Sequence, residues 1–589
     1  MNTAAFLDET TQKNVDLWLS GPYDENTKKE IRRLLKEKPK ELIDAFYTHL
    51  TFGTGGLRGI MGVGTNRMNR YTVGAATQGL ANYLLKQPKG TLKHSVIIGY
   101  DSRHHSREFA EEAAQVLAGN GITVYLFNEL RPTPLVSYGC REKKCSAAIM
   151  ITASHNPPEY NGYKVYWKDG AQILPPHDKN IISEVAKVTN PSLVRKVPAL
   201  NHPLIEIVKD KLDESYKEAI KTLQFYPEIN QKKGPTLKVV YTSLHGTGIT
   251  LVPSSFKEAG FTNLTLVENQ VIPDGNFPTC PSPNPEEKGA LKLGIEKLQE
   301  AGGDLLIAND PDADRIGIVT RHQNRIHILT GNQIACLCLH FILESLTEQN
   351  RLPEKAAFVK TIVTTELFEA ICKSYDKTCV SVLTGFKYIA EKIHQWEQEQ
   401  NGPQYIFGGE ESYGYLVGTI TRDKDAITAG ILVCEAALKA KLKGKTLVDI
   451  LHAIYAKYGL YYEKLSSITF EESKAGREQM EKGMDRLQKT PPSQINGINV
   501  EALEDYLQGI KVTFKTGEKS TLNLPRSEVL SFWLADGSKI VIRPSGTEPK
   551  IKIYCGANLK DFSSIEEGEK ALEKHTTELI EALRKDLYQ

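Results

Sequence analysis

The sequence carries no charge of one sign in excess: 73 Lys and Arg stand against 72 Asp and Glu over 589 residues, a formal charge of +1. That balance gives no field to gather nucleic acid or anionic lipid, and no dense Lys/Arg block supplies a local one. Long apolar runs are missing as well. Segments such as AITAGILVCEAALKA are interrupted by polar residues and fall short of the length that spans a bilayer. The beginning, MNTAAFLDETTQKNVDLWL, has no basic region leading into an apolar core, so it does not read as a signal peptide. The nine cysteines are scattered, without the close CxxC pairs of a zinc site or the framework of a secreted disulfide protein. Cys336 and Cys338 are expected to pack on a helix rather than bind a metal. These absences predict a soluble, cytoplasmic chain with reduced thiols and with neither nucleic acid nor membrane as partner.

What is present is too long for one core and predicts three or four domains. Residues 14–50 place apolar side chains three and four apart between charged runs, which predicts an N-terminal helical arm. An alternation of helix and strand follows: TVGAATQGLANYLL, SVIIGYD, SREFAEEAAQVLAGNG, ITVYLF and CSAAIMITA. The pattern recurs from about residue 236 and again from about 331, each time with an apolar strand running into a polar, glycine-containing loop. Open α/β sheets bind ligands at such strand ends. After about residue 450 the texture changes to strands about a turn, VLSFWLADGSKIVIRPSGTEPKIKIYCGA, and a terminal amphipathic helix. The tail is thus expected to be an α+β domain of a different kind.

Four motifs carry chemistry. NDPDADR follows the strand DLLIA and sets Asp310, Asp312 and Asp314 within five residues, with Arg315 beside them. Three such carboxylates repel unless a cation holds them, and oxygen-only ligands suit a hard divalent metal; a solvated acidic turn is the alternative. RPSGTEPK places Arg543, Ser545, Gly546, Thr547 and Lys550 about a tight turn whose hydroxyls, N–H groups and guanidinium match a phosphate, although a plain turn has the same composition. FGGEESYGY offers Glu410, Glu411, Ser412 and Tyr413 as partners for sugar hydroxyls, or as a surface turn. In TFGTGGLRG, Arg58 follows glycines that let backbone approach a ligand. Ser154, in TASHNPPEYNGYK, lacks the GxSxG elbow of a hydrolase. Next to a triple carboxylate and a phosphate loop it reads instead as a serine that carries a phosphoryl group, with His155 and Lys164 for proton transfer or charge; a helix cap is the bland alternative.

Together these motifs, in this order, resemble the α-D-phosphohexomutase superfamily over nearly the whole chain. The resemblance implies three related α/β domains with mixed sheets plus a C-terminal α+β domain around a central cleft. Along this sequence that means a helical arm at 1–45, a phosphoserine-loop domain at 46–205, a metal-binding domain at 206–325, a sugar-binding domain at 326–450 and a phosphate-binding domain at 451–589. It implies that Ser154 is phosphorylated and that its phosphate binds Mg²⁺ together with Asp310, Asp312 and Asp314. Arg58 and Arg315 would stabilise the transferring phosphoryl group, and His155 and Lys164 would lie beside Ser154, Lys164 as general acid or base. Glu410 and Ser412 match the sugar-hydroxyl binders, and Thr384 and Gly385 in LTGFKYI the loop that reads sugar orientation. Arg543, Ser545, Gly546 and Thr547 match the binder of the non-transferring phosphate, which Lys424 in TRDKDA would also face.

The implied reaction is a phosphoglucomutase reaction, interconverting glucose 1-phosphate and glucose 6-phosphate through glucose 1,6-bisphosphate, which also serves as primer. Phosphomannomutase and phosphopentomutase activities are the alternatives, because the helical arm and the chain length resemble the branch of larger bacterial phosphoglucomutases and animal phosphoglucomutase-2 proteins, some of which prefer pentose phosphates. The partner is a small phosphosugar, and monomer or weak homodimer both fit. A metal-dependent phosphatase or kinase, releasing phosphate or needing ATP, and a noncatalytic sugar-phosphate binder are the competing classes.

Overall fold

The computed structural model describes residues 7–52, 55–88, 93–471, 474–545 and 550–588. The chain forms two compact units, one of Met1–Gly331, Ala390–Phe407 and Ser412–Gly444, the other of Asn332–Ile389, Gly408–Glu411 and Lys445–Gln589.

The first unit begins with helices Glu9–Ser20, Glu25–Glu37 and Pro39–Phe46. Asp8 and Asp24 cap the first two by accepting the N–H groups of Thr11 and Thr27, the usual role of aspartate before a first turn. Their apolar faces close on Trp18, which stacks on Tyr23 at 4.2 Å and meets Phe46 edge-on at 5.5 Å.

A six-stranded mixed sheet follows, built from β1 (Gly56–Ile60), β2 (Ser95–Tyr100), β3 (Thr123–Phe127), β4 (Ala147–Ile151), β5 (Tyr160–Trp167) and β6 (Ile205–Val208), in the order β1-β5-β4-β2-β3-β6. β2 and β4 are apolar and buried along their whole length, as central parallel strands covered on both faces must be. Their side chains Val96, Ile98, Ile149 and Ile151 pack with Leu80 and Leu117 of helices Arg70–Lys86 and Ser106–Gly119. β5 runs back antiparallel to β4 with Lys164 opposite Met150, and β1 pairs with β5 so that Arg58 lies opposite Gly162. One edge of this sheet therefore carries Arg58, the Ser154 loop and Lys164.

The second sheet has β7 (Val239–Thr242), β8 (Leu264–Leu266), β9 (Leu305–Asn309), β10 (Ile316–His322) and β11 (Arg325–Leu329), in the order β11-β10-β9-β7-β8. β7 is parallel to β8 and β9, while β9 and β10 are antiparallel and start their pairing at Asn309 and Ile316. The residues Asp310–Arg315 are the turn between them.

In the second unit β12 (Ala356–Thr361) and β13 (Thr378–Val382) pair in parallel. β14 (Gln404–Glu410) and β15 (Gly414–Val417) lie on either side of the Glu411–Tyr413 turn. The tail supplies β16 (Leu460–Thr469), β17 (Gln494–Ile495), β18 (Ile498–Asp505), β19 (Ile510–Thr513), β20 (Lys519–Thr521), β21 (Leu530–Leu534), β22 (Lys539–Pro544) and β23 (Lys550–Leu559), with the helix Ile565–Tyr588 packed on this sheet. Its strand pairs are antiparallel, for example β16 with β23 and β21 with β22. The fold is thus three α/β domains followed by a distinct α+β domain. Cys336 and Cys338 are buried on the helix Gly331–Glu348. Among the described residues no helix is long and apolar enough to cross a membrane.

The apolar run AITAGILVCEAALKA begins a helix, Ala426–Leu442, that is buried almost all round. Its one buried acid, Glu435, accepts the N–H groups of Phe225 and Tyr226 and the Asn230 amide, which ties the helix to the segment leading into the second sheet. Burial pushes the Glu435 carboxyl up to about 7, from 4.5. Because the folded chain holds this proton more tightly than the unfolded one, the contribution is fully present below pH 4.5 and lost as pH rises through about 7. Wild-type protein should lose roughly 3 kcal/mol over that window relative to Glu435→Gln, in urea unfolding at a series of pH values. Parallel pH profiles for the two proteins would contradict it.

Candidate active site

Ser154 lies three residues past β4 in a left-handed backbone conformation, φ 52°, that serine seldom adopts. Its N–H donates to Thr152 Oγ1 at 2.8 Å. Its hydroxyl donates to Asp310 Oδ2 at 2.5 Å and lies 3.2 Å from His155 Nδ1. The sheet-one loop and the sheet-two turn, 156 residues apart in sequence, thus meet at this oxygen.

The three aspartates point one oxygen each into a space where those atoms lie within 4.8 Å of one another, and all three are buried. Asp310 Oδ1 accepts the N–H groups of Asp314 and Arg315 at 3.2 and 3.0 Å, which folds the turn back on its first residue. Asp312 Oδ2 accepts from Lys164 Nζ at 2.7 Å and from Thr133 Oγ1 at 3.0 Å. Asp314 Oδ2 faces Lys164 at 3.1 Å and Lys424 at 3.2 Å. The second oxygens of Asp312 and Asp314 are buried and accept no hydrogen bond. Orphaned carboxylate oxygens of this kind, on all-oxygen ligands, fit a hard divalent cation. Burial and the charges of Asp312 and Asp314 push the Asp310 carboxyl well above its ordinary range, the penalty that a bound cation would offset.

The turn is seated from below. Gly246 lies so close to Pro311 that a β-carbon there would come within 2.2 Å of its Cα, and Thr247 N–H donates to the Pro311 carbonyl at 2.7 Å. Gly414 plays the matching part for Lys424: a β-carbon would stand 2.0 Å from Lys424 Cδ. Lys424 is also paired with Asp423 at 3.0 Å, and Asp423 accepts from Tyr166 and Gln172 at 2.9 and 3.0 Å. The expectation set Lys424 before the substrate's phosphate; here its ammonium rests beside the acidic turn.

The remaining expected residues fall as follows. Arg58 is exposed on β1 and donates to Asn156 Oδ1 at 3.2 Å, while Arg315 pairs with Glu286 at 3.0 Å. Burial opposes a charge on Lys164, but Asp312 and Asp314 outweigh it and raise its pKa. Lys164 is thus drawn toward its charged form by the acidic turn. In the second unit Glu410 Oε1 accepts the Gly385 N–H at 2.9 Å, and Thr384 Oγ1 is buried without a hydrogen bond. Ser412 is half-buried in the turn before β15. Arg543 lies near the end of β22, and Ser545 N–H donates to the Lys550 carbonyl at 2.7 Å across the loop; Gly546 and Thr547 lie outside the described residues.

Sequence reasoning missed Arg103, Asp101 and Thr133. Arg103 donates to the carbonyls of Ser154 at 2.6 Å, Pro157 at 2.8 Å and Tyr160 at 3.0 Å, and also to that of Asn156. The signal was available: GYDSR follows an apolar strand as the other loops do, and a charged pair at a buried strand end needs a reason.

With this geometry in place, the chain matches phosphoglucomutase/phosphomannomutase α/β/α domain I over residues 49–192, domain II over 214–323 and domain III over 330–458. It belongs to the phosphoglucomutase/phosphomannomutase family. A phosphoglucomutase of Staphylococcus haemolyticus is 38% identical over 529 residues, covering 88% of this chain and 92% of its own. One from Staphylococcus aureus is 38% identical over 525 residues, covering 89% and 92%. Among solved structures, the open form of the Paramecium phosphoglucomutase parafusin shares the fold with a TM-score of 0.67 at 18% identity, covering 91% of this chain and 96% of that one. A phosphoglucomutase/phosphomannomutase family protein from Burkholderia thailandensis does so with a TM-score of 0.65 at 18% identity, covering 92% and 98%. As a family member the chain is a Mg²⁺-dependent phosphosugar mutase of the phosphoglucomutase type, working through a sugar bisphosphate.

If the acidic turn holds Mg²⁺, adding it should raise the melting temperature of the wild-type protein, and Asp312→Asn should weaken that response by at least about tenfold in Mg²⁺ concentration. An equal response from both proteins in a thermal-shift titration would remove Asp312 from the site.

Proposed function

We propose that this enzyme interconverts α-D-glucose 1-phosphate and glucose 6-phosphate, with Ser154 as phosphoryl carrier and glucose 1,6-bisphosphate as intermediate and primer. The observation that carries the reading is the Ser154 hydroxyl on Asp310 Oδ2 at 2.5 Å, inside a buried cluster of three carboxylates. Glucose as the sugar is supported by the relatives at 38% identity, which are phosphoglucomutases.

On this reading Asp310, Asp312, Asp314 and the phosphate on Ser154 hold Mg²⁺, which supplies Lewis acidity to the phosphoryl oxygens. The sugar's free hydroxyl attacks the phosphorus on Ser154 as the Oγ–P bond breaks. The proton the hydroxyl gives up is matched by the one Ser154 Oγ takes up, and the sugar becomes the 1,6-bisphosphate. After the bisphosphate turns over, Ser154 Oγ attacks its other phosphate and the serine ends as it began. His155, with Nδ1 at 3.2 Å and its pKa lowered by burial and by Arg315, is suited to receive the Ser154 proton in that second attack. Lys164, held protonated, is the donor and the charge that balances the acidic turn. Arg58 and Arg315 flank the loop and offset charge on the equatorial oxygens.

Glu410, Ser412, Thr384 and Gly385 then read the sugar hydroxyls, and Arg543, Ser545, Gly546 and Thr547 hold the phosphate that is not being transferred. The buried, unpaired Thr384 hydroxyl supports this, since such a group is satisfied by a ligand. A reducing, cytoplasmic setting is supported by the nine unpaired cysteines.

Ser154→Ala should fold and lose turnover by about 10⁴-fold or more, and the wild-type protein treated with primer should gain one phosphoryl group by intact mass. Glucose, mannose, glucosamine and ribose 1-phosphates, each with Mg²⁺ and its matching bisphosphate, should rank glucose first in kcat/KM. Wild-type turnover in Ser154→Ala would reject the carrier, whereas a ribose or mannose preference would reject the sugar alone.

A further inference from the structure

Four carbonyl oxygens of the phosphoserine loop, those of Ser154, Asn156, Pro157 and Tyr160, turn toward one point. Acceptors of this kind do not satisfy one another, and at a buried position each needs a donor. All four find the same one, the guanidinium of Arg103, which is 3% exposed. The guanidinium presents its N–H groups as a rigid planar fork, whereas an ammonium is a point charge with three donors.

The arginine is itself fixed from two sides. Asp101 Oδ1 accepts the Arg103 N–H at 2.9 Å and its Oδ2 faces the guanidinium Nε at 3.4 Å, an ion pair with both side chains fully buried. The other side is the Phe277 ring, whose centroid lies 4.9 Å from the guanidinium carbon. Phe277 belongs to the segment between β8 and β9, that is, to the domain carrying the acidic turn. The neighbouring contacts repeat this junction: His104 meets Asn276 at 2.8 Å, and a β-carbon on Gly275 would come within 2.6 Å of the His104 nitrogen.

We propose that Arg103 is the positioning residue of the phosphoserine: it holds Ser154 in its left-handed conformation and so aims Oγ at Asp310, with Phe277 referring that aim to the second domain. The carbonyl it grips at 2.6 Å is Ser154's own, the group whose orientation follows the Ser154 ψ angle. A serine at φ 52° is held against its preference, and release of its carbonyl lets the backbone relax and swings Oγ away. Arg103 makes no hydrogen bond to the aspartates of the metal turn or to the Ser154 hydroxyl; its charge acts on Asp310, Asp312 and His155 through space, and Arg103→Lys keeps that charge, so the lysine variant isolates the geometry. The inference rests on Ser154 as the carrier, and the test separates the two.

Arg103→Lys keeps the charge opposite Asp101 and loses the fork; the double variant D101N/R103M removes the buried pair together, in case the lysine fails to fold; Phe277→Leu removes only the ring. Each is compared with wild type and Ser154→Ala for melting temperature, kcat and KM with glucose 1-phosphate, Mg²⁺ and primer, and for the rate of Ser154 phosphorylation by the bisphosphate, followed by intact mass. In folded Arg103→Lys or the double variant, kcat and the phosphorylation rate should fall together by about 100-fold, the cost of misplacing a reacting atom by about an ångström, with KM changed less than about threefold. Phe277→Leu should lie between, about three- to tenfold down in kcat. A folded Arg103 variant with kcat within threefold of wild type, or one whose loss only tracks the unfolded fraction, overturns the assignment; unchanged kcat in Phe277→Leu overturns the role of the ring. Turnover persisting in Ser154→Ala instead overturns the carrier, and with it the reading on which this inference stands.

Discussion

The local structure depends on holding three carboxylates side by side in the protein interior. Asp310, Asp312 and Asp314 are each at most 1% exposed. Taking a single carboxylate out of water costs several kcal/mol even after relaxation, and three within 4.8 Å add mutual repulsion. The chain answers with two lysines from different segments. Lys164 comes from β5 of the first sheet and Lys424 from the segment between β15 and the helix Ala426–Leu442, and both end on Asp314. Arg315 adds a guanidinium 3.9 Å from the second oxygen of Asp314, and Lys424 is shared with Asp423. The second oxygens of Asp312 and Asp314 accept no hydrogen bond, which is where a divalent cation would fit, and Ser154 Oγ stands at the edge of the cluster on Asp310. The phosphoryl group on Ser154 would bring further negative charge to the same edge, so metal and phosphate need each other.

The same requirement explains how two sheets are brought together. Lys164 on β5 and Thr133, the first residue of the helix Thr133–Glu142, both reach Asp312, and Thr133 N–H donates to the Asp312 carbonyl at 2.9 Å. Arg103 reaches back to Phe277. The first two domains thus meet at Ser154, besides other contacts such as Arg131 with Asp213, and they cannot separate there without leaving charge unpaired. The buried ion pairs fix geometry more than they add stability, since an apolar contact of the same size would stabilise as well.

Much of this was legible in the sequence, and what was not has a physical reason. The strand ends were visible because buried strands such as AAIMI and LLIA have no polar residue until their last positions, so SHN and DPDADR announce themselves. The terminal helix Ile565–Tyr588 was visible from periodicity, whereas the helix Ala426–Leu442 was not, because burial almost all round leaves it no polar stripe. The partners of Lys424 were not: a lysine in TRDKDA says nothing about which anion it will meet, and Asp314 is 110 positions away. Arg103 escaped for another reason. Its partners are backbone carbonyls, which carry no sequence signature at all, so only the fold reveals that a loop needed a fork of donors. Glu410 shows the limit at the sugar loop, where acceptor residues were expected to face a ligand and one of them already holds the Gly385 N–H.

Backbone strain is distributed in the same pattern. Ser154, Ala313 and Tyr413 have φ of 52°, 52° and 66°, left-handed values that cost a residue with a β-carbon roughly 1–2 kcal/mol each. They lie in the loops that hold the serine, the acidic turn and the Glu-Glu-Ser-Tyr motif. Each has a neighbour that pins it. Arg103 holds the Ser154 carbonyl, Ala313 N–H donates to the Asp310 carbonyl at 2.9 Å, and the Tyr413 carbonyl accepts from Ile316 at 3.0 Å. The last two pins both engage residues at the ends of the acidic turn, Asp310 and Ile316, so the turn anchors two strained loops at once. A glycine at any of these three positions would relieve the strain and also loosen the loop, because its unfolded chain loses more entropy on ordering. Strain held by specific donors keeps a single conformation at a site where phosphoryl transfer demands one, and that is a reason for serine's neighbours to be built around an arginine and not around a flexible turn.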